Sequence, residues 1–167
     1  PRNQRIAYAA DGGSGILLRS SDGGLSWAEV PAIRSLISSN SAVGELFSRT
    51  EGSTTAVYAG TRFDGVLKST DDGQTWQQLD GGLVGEARRI RKLIDFNGDL
   101  YAGTHDGLYR LPQGATTWEP VPGFTDGGIV YSAAVKADAT QGDVLFVGSD
   151  TALYSSPDGA TWTRIPN

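Results

Sequence analysis

The chain contains no cysteine and no methionine, a single histidine, and no apolar run approaching 18 residues. Without cysteine there is no disulfide framework and no thiol chemistry. Without a long apolar run no helix spans a membrane. Basic residues are the minority, 14 against 19 acids, for a net charge of −5 and an isoelectric point near 4.8. That balance argues against nucleic acid and against an anionic membrane surface as partners. Pro1-Arg2-Asn3 opens the chain with neither an initiator methionine nor a signal peptide. The sequence therefore reads as a mature or excised piece of a longer product, more in keeping with an extracytoplasmic or secreted location than a cytoplasmic one.

What is abundant is glycine, 23 of 167 residues, about twice the usual share of roughly 7%. Many tight turns would explain it, because glycine adopts positive φ without steric cost. Apolar residues make up 38% and charged residues 20%, which places the chain among globular proteins with a sizeable core.

All four tryptophans end copies of one motif, at intervals of 49, 42 and 44 residues. The first copy is Ser20-Ser21-Asp22-Gly23-Gly24-Leu25-Ser26-Trp27 and the second Ser69-Thr70-Asp71-Asp72-Gly73-Gln74-Thr75-Trp76. A worn third copy runs from Leu111 to Trp118, and the fourth from Ser155 through Gly159 to Trp162. Gln113 and Pro157 stand where the first two copies have aspartate. Self-similarity at this period signals stacked supersecondary units.

Aligned on the tryptophans, each unit shows the same strands. A short apolar strand precedes Trp by about 18 residues: Ile6–Ala10, Val57–Thr61, Leu100–Thr104 and Leu145–Ser149. A second follows a turn, at Gly15–Arg19, Gly65–Ser69, Gly107–Leu111 and Ala152–Ser155, and a third leaves from each tryptophan. β-Branched and aromatic runs between turn clusters are antiparallel strand signals. A fourth strand precedes the set near Glu45–Arg49, Arg89–Phe96 and Ile129–Lys136. The predicted fold is all-β: a β-propeller of four-stranded antiparallel blades with strand order A-B-C-D, about four blades in all. The first blade lacks its A strand, because only Pro1 to Arg5 precede strand B. One domain spans 1–167, with blades near 1–31, 32–80, 81–122 and 123–167. About four blades imply either an open arc or part of a larger ring, completed by blades in a longer chain or by a homodimer.

Ser-x-Asp-x-Gly-x-Thr-Trp has a structural rationale without a ligand. Aspartate and serine side chains bond nearby backbone N–H groups and hold a tight turn, glycine supplies the conformation, and tryptophan anchors the turn by burial. Ser20, Asp22, Gly24 and Trp27, then Ser69, Asp71, Gly73 and Trp76, then Trp118, then Ser155, Gly159 and Trp162 are read this way. The motif resembles the Asp-box, or BNR repeat, and the chain is similar to the Asp-box β-propeller superfamily. That group includes sialidases, xyloglucan-active glycoside hydrolases, sortilin-type receptors and photosystem II stability/assembly factors. The wording Tyr58-Ala59-Gly60-Thr61, followed by Gly65-Val66-Leu67-Lys68 and the second motif, is most similar to the assembly-factor-like and xyloglucanase-like branches. The resemblance covers nearly the whole chain and implies a fold; its members do different things on one scaffold.

Residues for chemistry are scarce. Arg164-Ile165-Pro166 resembles a sialidase arginine signature, but it follows the last motif instead of preceding the first. A glycosidase needs two facing carboxylates, and 19 acids offer too many pairs for spacing to select one. Asp11-Gly12-Gly13-Ser14-Gly15 joins two strands, whereas a phosphate loop leads into a helix. No metal cluster stands out, and no cofactor is implied. No catalytic residue is assigned.

Propeller geometry puts the D–A and B–C loops on one face, where partners bind. Glu86-Ala87-Arg88-Arg89-Ile90-Arg91-Lys92 packs four cations into five residues at the start of an A strand. Arg62-Phe63-Asp64 is a B–C turn carrying an aromatic, and His105 and Asp106 lie in the next one. The expectation is a non-enzymatic binding or scaffold module engaging a protein, or a glycan, at these residues. The alternative is a fragment of a polysaccharide-active glycoside hydrolase, or a lectin-like propeller.

Overall fold

The computed structural model describes residues 6–138, 140 and 142–166. These residues form antiparallel sheets in two compact units, one up to Leu79 and one from Asp80 onward. In the first unit, β1 (Ala7–Ala10), β2 (Leu17–Ser20) and β3 (Ala28–Glu29) make a three-stranded meander. β4 (Val43–Glu51), β5 (Thr54–Thr61), β6 (Val66–Ser69) and β7 (Gln77–Gln78) make a four-stranded one. In the second unit, β8 (Ile90–Phe96), β9 (Asp99–Thr104), β10 (Gly107–Leu111) and β11 (Glu119–Pro120) form the third sheet. β12 (Val130–Lys136), β13 (Val144–Ser149), β14 (Leu153–Ser156) and β15 (Thr163–Ile165) form the fourth. These are β-propeller blades, and among the described residues the first has no A strand.

The repeat sets the register and turn chemistry closes the hairpins. β8 and β9 pair Phe96 with Asp99 across Asn97-Gly98, both at positive φ of 55° and 86°, the two-residue hairpin that an Asn-Gly pair favours. Glu86–Leu93, whose composition could pass for a helix, splits into a short 3₁₀ turn at Gly85–Arg88 and the strand β8. A second 3₁₀ turn at Pro31–Ile33 begins the long loop before β4.

In the second and third blades the second strand is covered on both faces, so it reads as an unbroken apolar run instead of an alternating one. Ala56 through Thr61 in β5 and Leu100 through Thr104 in β9 are all buried. Each unit's core lies between its two blades. Leu17 and Val30 of the first blade pack with Val43, Val57, Leu67 and Trp76 of the second. Phe96, Tyr101 and Leu108 pack with Val130, Leu145 and Val147 in the other unit.

The serine–aspartate turns have repeating bonds. Ser20 Oγ accepts from Gly24 N at 2.8 Å and donates to Asp22 Oδ1 at 2.7 Å. Asp22 accepts the N–H and hydroxyl of Ser26 at 3.0 and 2.6 Å. Ser69, Asp71, Gly73 and Thr75 repeat this pattern. In both turns the indole N–H donates to the glycine carbonyl at 3.1 Å, from Trp27 to Gly24 and from Trp76 to Gly73.

Two expectations about these turns need correction. In the fourth copy the hydroxyl belongs to Ser156, not Ser155, and the carboxylate survives as Asp158. The turn is one residue shorter: Gly159 N reaches Ser156 Oγ at 2.8 Å, and Thr161 donates N–H and hydroxyl to Asp158 at 2.6 and 2.8 Å. Only the third copy lacks its aspartate, and there Asp99 of β9 caps Gln113 N at 2.9 Å. The second correction concerns anchoring. Trp76 and Trp118 are buried, Trp162 is half-buried, and Trp27 is 43% exposed. The cover for a motif tryptophan comes from the segment after the last strand of the preceding blade. Trp76 joins Val30 and Ile33, Trp118 N donates to Gly81 O at 2.7 Å, and Trp162 meets Phe124 edge-on at 5.0 Å. Trp27 is the first of the series.

Candidate functional site

The loops before an A strand and after a B strand meet within each complete blade, tied by side chains from both. In the second blade Asp64 accepts Ser38 N at 3.0 Å and Ser38 Oγ at 2.7 Å, across 26 residues of sequence. Phe63 is half-buried, with its N–H on Ser41 Oγ and its ring 5.5 Å below the Arg62 guanidinium. It is therefore not the freely exposed aromatic that the turn suggests. In the fourth blade Asp126 accepts the hydroxyls of Ser149 and Thr151 and the N–H of Gly128. Partial burial works to raise its pKa, but these bonds outweigh it and hold the carboxyl below its ordinary value.

The third blade holds the cationic segment. Arg88 pairs with Asp80 at 2.6 Å and Arg89 with Glu86 at 2.8 Å. Two of the four cations thus fasten the 3₁₀ turn to its own loop. Arg91 Nε donates to His105 Nε2 at 2.7 Å, and His105 N donates to Arg89 O. His105 Nδ1 lies 3.7 Å from a Glu86 oxygen. Burial first, then the charges of Arg89 and Arg91, push the imidazole pKa below its usual 6.5, against the pull of Glu86. Asp106 accepts the Tyr109 hydroxyl at 3.1 Å. Lys92, the next residue of β8, is half-buried.

One feature of this face repeats without having been singled out in the sequence. Each complete blade has a register irregularity at the start of its A strand: between Val43 and Glu45, between Ile90 and Lys92, and between Val130 and Ser132. The residues so displaced are Gly44, Arg91 and Tyr131. A bulge re-aims the side chain it carries, and such bulges recur beside binding sites. Arg91 and Tyr131 are both exposed, and the Arg91 guanidinium sits 5.8 Å from the Tyr131 ring centroid. That is within range of a cation–π interaction. Tyr131 was legible only by aligning A strands, where it holds the place of Arg91 one repeat later.

Asp11, Asp22, Glu51, Asp71, Asp126 and Asp158 all have pKa values moved downward, each held ionised by the hydrogen bonds it accepts. Among the described residues no group of three His, Cys, Asp or Glu side chains is placed to hold a metal ion. Arg164 lies in the outermost strand β15, paired with Tyr154 in register. No helix of the described chain is long and apolar enough to cross a membrane.

Comparison with known proteins agrees with the blade architecture. No protein-family profile matches the chain. A xyloglucanase of a Paenibacillus species is 33% identical over a match that covers 60% of this chain and 13% of the enzyme. The chain thus spans a small part of that relative's length. Among solved structures, the extracellular domain of a one-component system from B. thetaiotaomicron superposes with a TM-score of 0.71 at 14% identity, over 98% of this chain and 21% of that one. YCF48 bound to a D1 peptide superposes with a TM-score of 0.60 at 19% identity, over 97% of this chain and 52% of that one. At these identities the structural matches establish the propeller fold.

Proposed function

We propose that the chain is a non-enzymatic β-propeller module of the Asp-box kind that holds an acidic segment of a protein partner on its D–A/B–C loop face. The observation that carries this reading is the Arg91–Tyr131 pair, set on successive A-strand bulges and left exposed above loops that are otherwise tied down. An arginine beside an aromatic face suits a carboxylate-bearing peptide, because the guanidinium gives directed, charge-assisted bonds and the ring supplies contact area. A solved relative of the same fold was captured with a peptide, which supports a peptide-holding role here. The extracellular domain among the relatives supports an extracytoplasmic location.

A second reading has its own support: the 33% identity to a xyloglucanase favours a fragment of a polysaccharide-active glycoside hydrolase. Calorimetric titration with an acidic peptide and with xyloglucan oligosaccharides, beside a hydrolysis assay, separates the two. Peptide binding that Arg91→Glu abolishes and Arg62→Glu leaves intact supports the first. Oligosaccharide binding or hydrolysis without peptide binding overturns it.

A further inference from the structure

His105 and Arg91 form a pair in which only the imidazole can change its charge. A guanidinium carries donors and no acceptor, so the 2.7 Å contact from Arg91 Nε fixes a lone pair on His105 Nε2. The loop that bears the ring is fastened on both sides of it. His105 N donates to Arg89 O at 3.2 Å, Asp106 N to Thr104 Oγ1 at 2.9 Å, and Gly107 N to Gly128 O at 3.0 Å. Only 10% of the His105 side chain is exposed, whereas Arg91 stands exposed on its bulge. Of the two, Arg91 has the room to move.

A proton on Nε2 removes the acceptor and turns the contact into one between two cations. The charged groups that face the ring are Glu86 of the 3₁₀ turn, with Arg89 and Arg91 about the start of β8. Glu86 is the one anion among them. Its Oε2, 3.7 Å from His105 Nδ1, already accepts Arg89 Nη1 at 2.8 Å. Asp106 is turned to the Tyr109 hydroxyl, and Asp126 of the following loop to the hydroxyls of Ser149 and Thr151. An imidazolium here would share a single carboxylate with two arginines, which leaves charge uncompensated for an incoming anion.

We infer that capture of an acidic segment at the Arg91–Tyr131 pair takes up a proton at His105, so that binding strengthens as pH falls. The inference rests on the peptide-holding reading of that pair. A carboxylate brought to the Arg91 guanidinium lies beside the imidazole and favours its charged form. By linkage, the charged form favours the carboxylate by the same factor. Protonated His105 offers an Nε2–H and releases the Arg91 Nε–H, so one internal bond gives way to two charge-assisted donors. In the neutral form the Arg91 Nε–H stays on His105, and the terminal nitrogens are what Arg91 offers a ligand.

Calorimetric titration of the chain with an acetylated hexapeptide of alternating aspartate and glutamate tests this from about pH 7.5 to about pH 5, where the peptide stays largely ionised. Affinity should rise about tenfold across that range, the effect of raising one pKa by a unit. Repetition in buffers of different ionisation enthalpy should show net proton uptake on binding. The chain's own charge also shrinks toward its isoelectric point near 4.8, which would tighten binding without His105. His105→Gln separates the two causes: it does not titrate in this range and should lose the uptake and most of the pH dependence. Proton uptake is read on the native chain, so it decides the matter even where the substitution unfolds the protein. Binding without proton uptake, or uptake that His105→Gln retains, overturns the inference and leaves the peptide-holding reading standing. No binding at either end of the range overturns both.

Discussion

Arg91 donates its Nε hydrogen to His105 Nε2 across 2.7 Å, a bond that requires a lone pair on that nitrogen. The imidazole is therefore neutral, with its proton on Nδ1 toward Glu86. His105 is the chain's single histidine, so its titration is read without assignment. Burial and the neighbouring Arg89 and Arg91 place its folded pKa below 6.5. A depressed pKa contributes stability that is present above the unfolded value and lost as pH falls through the folded one. Proton NMR should show the titration below pH 6.5, and Arg91→Ala should shift it upward by removing a positive charge and the bond. A midpoint at or above 6.5 in the native chain would contradict the neutral assignment.

The fourth turn separates two adjacent serines. Ser156 is buried and takes the Gly159 N–H at 2.8 Å; Ser155 has no such bond in the turn. Ser156→Ala should destabilise the chain by about 1–2 kcal/mol, the cost of an orphaned buried N–H. Ser155→Ala should stay within about 0.5 kcal/mol of wild type. Urea unfolding of the two variants measures the difference, and the reverse order would restore the ungapped alignment.

That turn also shows where sequence reading stops. Strand positions were legible because four tryptophans fixed a common phase, and the A, B, C and D strands fall within a few residues of the expected ones. The serine pair was ambiguous because a one-residue shortening leaves Thr161-Trp162 in place and moves only the residues before it. Exposure of Trp27 was not legible, since a motif tryptophan is buried by another blade and not by its own sequence neighbours. Likewise Asp64 looked available because its partner, Ser38, lies 26 residues away. Arg88 and Arg89 read as part of a charged patch, whereas their acids, Asp80 and Glu86, were close enough in sequence to have been paired with them. Tyr131 was present in the expected A strand, and only its register beside Arg91 marks it.

Glu51 gives a pH test away from the loop face. It contacts Arg49 at 2.8 Å, Lys68 at 2.6 Å and the Tyr58 hydroxyl. Partial burial works to raise its pKa, but Lys68, Tyr58 and Arg49 together bring it from 4.5 down to about 2. The carboxylate's contribution is therefore complete above the unfolded value of 4.5 and fades as pH falls toward 2. Glu51→Gln should cost about 1 kcal/mol at neutral pH, and the gap to wild type should close below pH 4.5. Denaturation midpoints compared across that window decide it; a gap that is constant with pH would show that the charge contributes nothing.

Gly159 combines two constraints in one residue. Its φ of 76° lies in the left-handed region, where a residue with a Cβ is strained by about 1–3 kcal/mol. An added Cβ would also meet the Tyr101 hydroxyl, with Phe96 at 3.7 Å behind it. Gly159→Ala should thus destabilise more than strain alone. Gly114 supplies the control, with a similar φ of 78° and nothing within 4 Å of an added Cβ. The excess of Gly159→Ala over Gly114→Ala isolates the blade–blade contact from the turn. Pairing Gly159→Ala with Tyr101→Leu, which removes the hydroxyl and shortens the side chain, should recover part of that excess in a double-mutant cycle. Equal losses at the two glycines would mean that the turn, and not its seat on Tyr101, sets the need for glycine.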